Sequence, residues 1–180
     1  MYKMPYLVVC PASQIEAVGA KHKPSHMLTV MSEAVPVHRP DTVDHENHLA
    51  LIFNDIDAPR EGLVLPGTEH VEAMLALARE WDRQAPLLIH CYAGVSRSTA
   101  SAYIIAHALR QDPDPIALAS DLRFRSPTAT PNAKLIAIGD VLLGMDGAMS
   151  SAIAEIGRGA YCFEGEPFVF PVDPEHDTMW

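Results

Sequence analysis

Cysteine is scarce: Cys10, Cys91 and Cys162 are the only three in 180 residues. They form neither an even disulfide framework nor a Cys-x-x-Cys zinc pair. Each is expected to be a thiol, and therefore either inert core or a nucleophile. Positive charge is scarce too, with 13 Lys and Arg against 23 Asp and Glu, a formal net charge of −10. That balance argues against nonspecific nucleic-acid or anionic-membrane binding, which needs clustered basic side chains. An anionic substrate would need a local positive field to overcome it. No apolar run reaches the roughly 18 residues of a membrane helix. The N-terminal MYKMPYLVVCPAS has no charged start, apolar core and small-residue cleavage site in succession, so a cytoplasmic location is expected. With no internal repeat, low-complexity tract or linker, residues 1–180 are read as one domain.

Short apolar runs alternate with helical patterns. PYLVVCP (5–11), MLTVMS (27–32), LALIFNDI (49–56) and PLLIH (86–90) read as strands, and ASQIEAVGAKHKPSH as a short helix and loop. Residues 33–48 are polar, proline-bearing and aperiodic, which predicts a surface loop. In TEHVEAMLALAREWDRQ, Val71, Met74, Leu75 and Ala78 recur at helical spacing, with Thr68 as the expected N-cap. STASAYIIAHAL is small or apolar on nearly every face, as suits a buried central helix. Further helices are expected at about 115–125, 132–144 and 147–157. The residues from 158 to 180 read as an irregular arm with Phe163, Phe168, Phe170 and Trp180 as packing anchors. Strands leading and helices trailing predict an α/β fold with a mostly parallel central sheet flanked by helices.

The chemistry concentrates in HCYAGVSRS, His90 to Ser98. In α/β sheets, ligands bind beyond the carboxyl end of a strand, where the loop enters a helix. Such a loop aims backbone N–H groups inward, and the helix dipole adds partial positive charge. Gly94 permits a close backbone approach, and Arg97 offers a planar fork to two oxygens of one oxyanion. Residues Tyr92, Ala93, Gly94, Val95, Ser96 and Arg97 are thus the expected cradle for a phosphate-like dianion. The same field favours the thiolate of Cys91, a nucleophile suited to attack on phosphorus. Ser98 is placed to donate a hydrogen bond to that sulfur when it leaves. No metal or other cofactor is required.

HCYAGVSRS resembles the H-C-x-x-G-x-x-R-[ST] loop of the cysteine-dependent protein tyrosine phosphatases, most closely the compact dual-specificity branch and its small bacterial relatives. The resemblance implies that fold and a cysteinyl-phosphate mechanism. It also implies an aspartate upstream that protonates the leaving oxygen. FNDIDAP supplies Asp55 and Asp57, and Asp55 is preferred because it follows the predicted strand and lies in an N-D dipeptide similar to that of some family members. RFRSPTATPN resembles the family stretch whose asparagine supports the phosphate loop, here Asn132. His90 is expected to orient the loop through hydrogen bonds. A disulfide shielding the nucleophile occurs in parts of the family, and Cys10 and Cys162 are the two cysteines available for one. The resemblance covers residues 5 to about 145.

Plainer roles are expected elsewhere. Ser96 and Thr99 serve as loop or cap hydroxyls, Cys10 as core, and His45 and His48 of HENH as solvated side chains rather than metal ligands. The expected substrate is a phosphorylated protein or small phosphomonoester. No lysine occupies the loop slots Tyr92, Ala93, Val95 and Ser96, which argues against a polyphosphorylated lipid. Two competing functions follow from the same residues: a silent phosphate-binding or interaction module, and a rhodanese-type sulfurtransferase.

Overall fold

A computed structural model describes residues 5–111 and 113–172. Its sheet has five strands in the order β3-β2-β4-β1-β5, formed by β1 (Tyr6–Pro11), β2 (His26–Met31), β3 (His48–Ile52), β4 (Leu87–Cys91) and β5 (Phe168–Pro171). The first four are mutually parallel and β5 pairs antiparallel with β1. Every residue of β1, β2 and β4 is buried, which explains why these strands read as continuous apolar runs rather than alternating ones.

Both faces of the sheet are covered. On one side Tyr6, Val8, Cys10, Met27 and Leu88 pack with Ile15 and Val18 of α1 (Ile15–His22) and with Val43. The larger core lies opposite. There Leu7, Val9, Leu28, Leu87 and Ile89 meet α2 (Thr68–Glu80) and α3 (Arg97–Leu109). Outside these lie α4 (Pro115–Arg125), α5 (Ala133–Leu142) and α6 (Ala148–Ile156). From Arg97 to His107 no residue of α3 is exposed. Its run of alanine and serine keeps the helix slim enough to take neighbours on every side.

Several boundaries depart from expectation. The third strand ends at Ile52 rather than Ile56, so Asp55 lies in the turn beyond it. The segment 33–48 is not wholly loop: residues 45–47 form a 3-10 turn and His48 opens β3. The N-cap of α2 is Gly67, not Thr68, because the His70 ring returns to accept a hydrogen bond from the Gly67 N–H at 2.9 Å. The arm is also not irregular throughout. Phe168 and Phe170 are buried in β5, where the Arg110 guanidinium sits 5.6 Å from the Phe170 ring and donates to the Pro171 carbonyl. Alternation over only four residues between prolines was too short a signal for a strand. Phe163 is no packing anchor, since it is 84% exposed, and Trp180 lies outside the described residues. Among the described residues no helix is long and apolar enough to cross a membrane.

Candidate active site

β4 is flanked by β2 and β1, so its carboxyl end opens at the centre of the sheet edge, where Cys91 is the last strand residue. The chain then loops for five residues and enters α3 at Arg97. The loop carbonyls are drawn outward one by one. Tyr92 O accepts from Ala12 N–H (3.1 Å), Ala93 O from Gly165 (2.8 Å), Val95 O from Thr130 (2.9 Å) and Ser96 O from Asn132 (3.3 Å). With the carbonyls turned away, the amides of residues 93–96 meet no acceptor among the described residues and are left for a ligand. Gly94 makes the tight turn possible. Its φ is +69°, and a Cβ there would stand 2.7 Å from the Pro11 nitrogen.

The buried Cys91 sulfur lies 3.1 Å from the Ser98 hydroxyl. Arg97 is 6% exposed. Its Nη1 donates to Ser32 Oγ (2.9 Å) and to the Phe53 carbonyl (2.8 Å), which fixes the guanidinium plane, while Nε has no partner among the described residues. A buried, unpaired cationic donor is costly unless an anion completes it.

Asp55 stands at the rim. Its Oδ1 accepts from Ser96 Oγ (2.7 Å) and from Asn132 Nδ2 (2.8 Å). Asn132 also donates from Nδ2 to Ile56 O (3.2 Å), while its Oδ1 caps α5 by accepting from Leu135 N–H (2.9 Å). This one residue therefore joins the acidic turn, the loop after β4 and α5. Asn54 closes the other side of the turn: its N–H and Oδ1 clasp Val64 from both directions, each at 2.8 Å.

Asp55, Cys91, Tyr92, Ala93, Val95, Ser96 and Arg97 all line one cavity of about 380 Å³. Gly94, Ser98, His90 and Asn132 lie behind that lining, and Asp57 is exposed and apart from it. Thr99 is a tie within the helix start, donating to Val95 O and Ser96 O.

His90 is fully buried behind Cys91. Its Nε2 is 2.7 Å from Thr29 Oγ1, and that oxygen is 2.8 Å from His48 Nε2. Its Nδ1 lies 3.4 Å from the Cys91 carbonyl. Burial lowers His90 from 6.5 to about 4, with His48 opposing its charge further, so the ring is neutral. If Nδ1–H faces the carbonyl, Nε2 accepts from Thr29, and Thr29 in turn accepts from His48. His48 is thus half-buried and bonded, not a solvated loop histidine, and it pairs with Thr29 rather than with His45. Among the described residues no group of three metal-ligating side chains occurs.

Cys10 is buried on the opposite face of the sheet. Burial pushes its thiol up to about 12, with negative charge on Cys91 and Glu164 adding to the effect, so it stays protonated and inert. Cys162 lines the cavity. Four contributors were not read from the sequence: Ser32, Thr29, Thr130 and the wall of residues 158–163. Thr29 lies within β2, Ser32 just past its end, Thr130 in the loop between α4 and α5, and the wall in a distant arm, and nothing in their local pattern marks them.

No family model and no curated protein sequence matches the chain. Solved structures do. DUSP15 superimposes with a TM-score of 0.55 at 15% identity, over 86% of this chain and 94% of that one. PTP-2 phosphatase of Cydia pomonella gives 0.58 at 15%, over 95% and 99%. A mouse putative dual specificity phosphatase complexed with zinc tungstate gives 0.50 at 22%, over 79% and 81%. The chain has the fold of the cysteine-dependent dual-specificity and tyrosine phosphatases.

Proposed function

We propose that the protein is a cysteine-dependent phosphomonoester hydrolase of the tyrosine and dual-specificity type. The observation that carries this reading is the convergence on one cavity of a sulfur beside a hydroxyl (Cys91 and Ser98, 3.1 Å), a buried guanidinium whose Nε has no partner among the described residues, and a carboxyl at the rim. The phosphoryl oxygens take the loop amides and Arg97 Nε. The Cys91 thiolate attacks phosphorus, and the bond to the leaving oxygen breaks as Asp55 gives that oxygen its proton. Both hydrogen bonds to Asp55 fall on Oδ1, so Oδ2 is the oxygen available to substrate. In the second step water attacks the cysteinyl phosphate, Asp55 takes the water's proton, and the departing sulfur accepts a hydrogen bond from Ser98. Charge spread over the equatorial oxygens meets donors that are already oriented, which lowers the barrier without reorganisation.

Cys91→Ser should abolish turnover of an aryl phosphate while phosphate or vanadate still binds. Turnover at the wild-type rate in that variant would refute the mechanism. Binding without any hydrolysis by the wild-type protein would identify a silent phosphate-binding module, and sulfur transfer from thiosulfate a sulfurtransferase.

A further inference from the structure

Beyond the phosphate cradle, the cavity is walled by a segment that the mechanism does not use. After α6 ends at Ile156, residues 157–165 run across the mouth, and Arg158, Ala160, Tyr161, Cys162 and Phe163 line the same cavity as Cys91 and Asp55. This strap is fastened along its length. Arg123 Nη2 donates to Gly157 O (2.7 Å), while Arg123 Nη1 holds Pro127 O and Ala129 O, each at 2.8 Å. Gly159 N–H donates to Thr130 Oγ1 (3.2 Å), Ala160 N–H to Pro127 O (2.9 Å), and Gly165 N–H to Ala93 O within the phosphate-type loop (2.8 Å). Gly159 lies so close to the 127–130 segment that a Cβ would come within 2.5 Å of the Thr128 carbonyl.

A strap held this firmly by its backbone nevertheless leaves its large side chains unpacked. Tyr161 is 91% exposed and Phe163 84%, and Tyr92 of the loop, across the same mouth, is 62% exposed. Clustered exposed aromatics at a cavity rim mark a binding surface more often than a packing defect. Arg158 is exposed beside them and forms no ion pair or hydrogen bond among the described residues, although acidic residues outnumber basic ones in the chain. Arg97, by contrast, is buried, with its Nη1 committed to Ser32 and the Phe53 carbonyl.

We propose that the strap is the substrate-selecting wall and that Arg158 binds a second anionic group beside the scissile phosphate. This rests on the phosphatase reading above. The substrate class is a phosphomonoester on an apolar or aromatic body, covered by Tyr92, Tyr161 and Phe163, with another negative charge close by. That charge is either an acidic side chain flanking a phosphorylated residue or the second phosphate of a small bisphosphate.

The test uses the full chain and compares kcat/KM across matched substrates: two phosphotyrosyl peptides that differ only in Glu or Gln flanks, and an aryl bisphosphate against its monophosphate. The wild-type protein should prefer the acidic member of at least one pair, less so at high salt. Arg158→Glu should cut that preference by about two- to fivefold, the upper range of an exposed charge pair, and Arg158→Lys should keep most of it. The pair that responds identifies the source of the anion. Hydrolysis with no preference, or a preference that Arg158→Glu leaves intact, would overturn the role of Arg158 and leave the phosphatase reading standing. No hydrolysis of any substrate would overturn the phosphatase reading. In that case peptide binding to Cys91→Ser, with and without Arg158→Glu, still decides whether Arg158 contacts the second anion.

Discussion

Asp55 and Asp57 are two residues apart and differ in everything the chemistry needs. Asp55 is held by Ser96 and Asn132 at the cavity rim, whereas Asp57 is exposed and does not line the cavity. Their asparagine variants should therefore diverge. Asp55→Asn should slow turnover of an aryl phosphate with a poor leaving group by about 10²–10⁴, and a good leaving group far less, because only the former needs a proton in the transition state. Asp57→Asn should change neither by more than about twofold. Steady-state kcat on the two esters checks this, and equal small effects from both variants would place the acid elsewhere. The preference for Asp55 rested on its position after an apolar run and on the resemblance of its N-D dipeptide to that of some family members. The reason it is held was not legible in the sequence, since Ser96 and Asn132 lie 41 and 77 residues away. His90 shows the same divide. Its place before the cysteine was readable, but its Thr29 and His48 partners depend on the parallel pairing of β2 with both β3 and β4.

At the scale of elements, the strand, loop and helix of residues 87–109 were readable from the sequence because each is local: a buried run, a glycine turn, a small-residue helix. The support around them is not local. Four carbonyls of the loop are satisfied by Ala12, Thr130, Asn132 and Gly165, from three separate parts of the chain. The arm that supplies Gly165 also supplies β5, whose pairing with β1 spans nearly the whole sequence. Gly94 is the point at which the loop meets β1. Gly94→Ala would place a side chain at φ +69° and 2.7 Å from the Pro11 nitrogen, which is backbone and cannot swing aside. The variant should lose about 1–3 kcal/mol of stability and most of its turnover, because the loop must shift to relieve the contact. Urea unfolding and aryl phosphate kinetics together test this. Wild-type values in both would mean that the loop is far more pliable than its hydrogen bonds imply.

For the whole molecule, charge and burial act in opposite directions as the pH falls. The net charge of −10 favours acidification, since protonating carboxylates relieves self-repulsion, but ordinary carboxyls do not titrate until near pH 4. Histidines act earlier. Burial lowers His22, His26, His48, His90 and His107 below their usual value, His90 from 6.5 to about 4. A base whose folded pKa is depressed binds its proton more readily when unfolded. Its stabilising contribution is therefore full above pH 6.5 and is lost as the pH falls towards the folded value. His90 alone corresponds to a loss on the order of 3 kcal/mol between those limits, and the other four add to it. The urea midpoint should thus fall steadily from pH 7 to pH 5, before the carboxylates respond. His90→Gln should flatten that slope even if it lowers the midpoint throughout, because the slope counts protons and the offset counts packing. A midpoint constant from pH 7 to pH 5 would mean that these rings are protonated in the folded protein. The neutral His90 hydrogen-bonded to Thr29 behind Cys91 would then be the wrong description of the site.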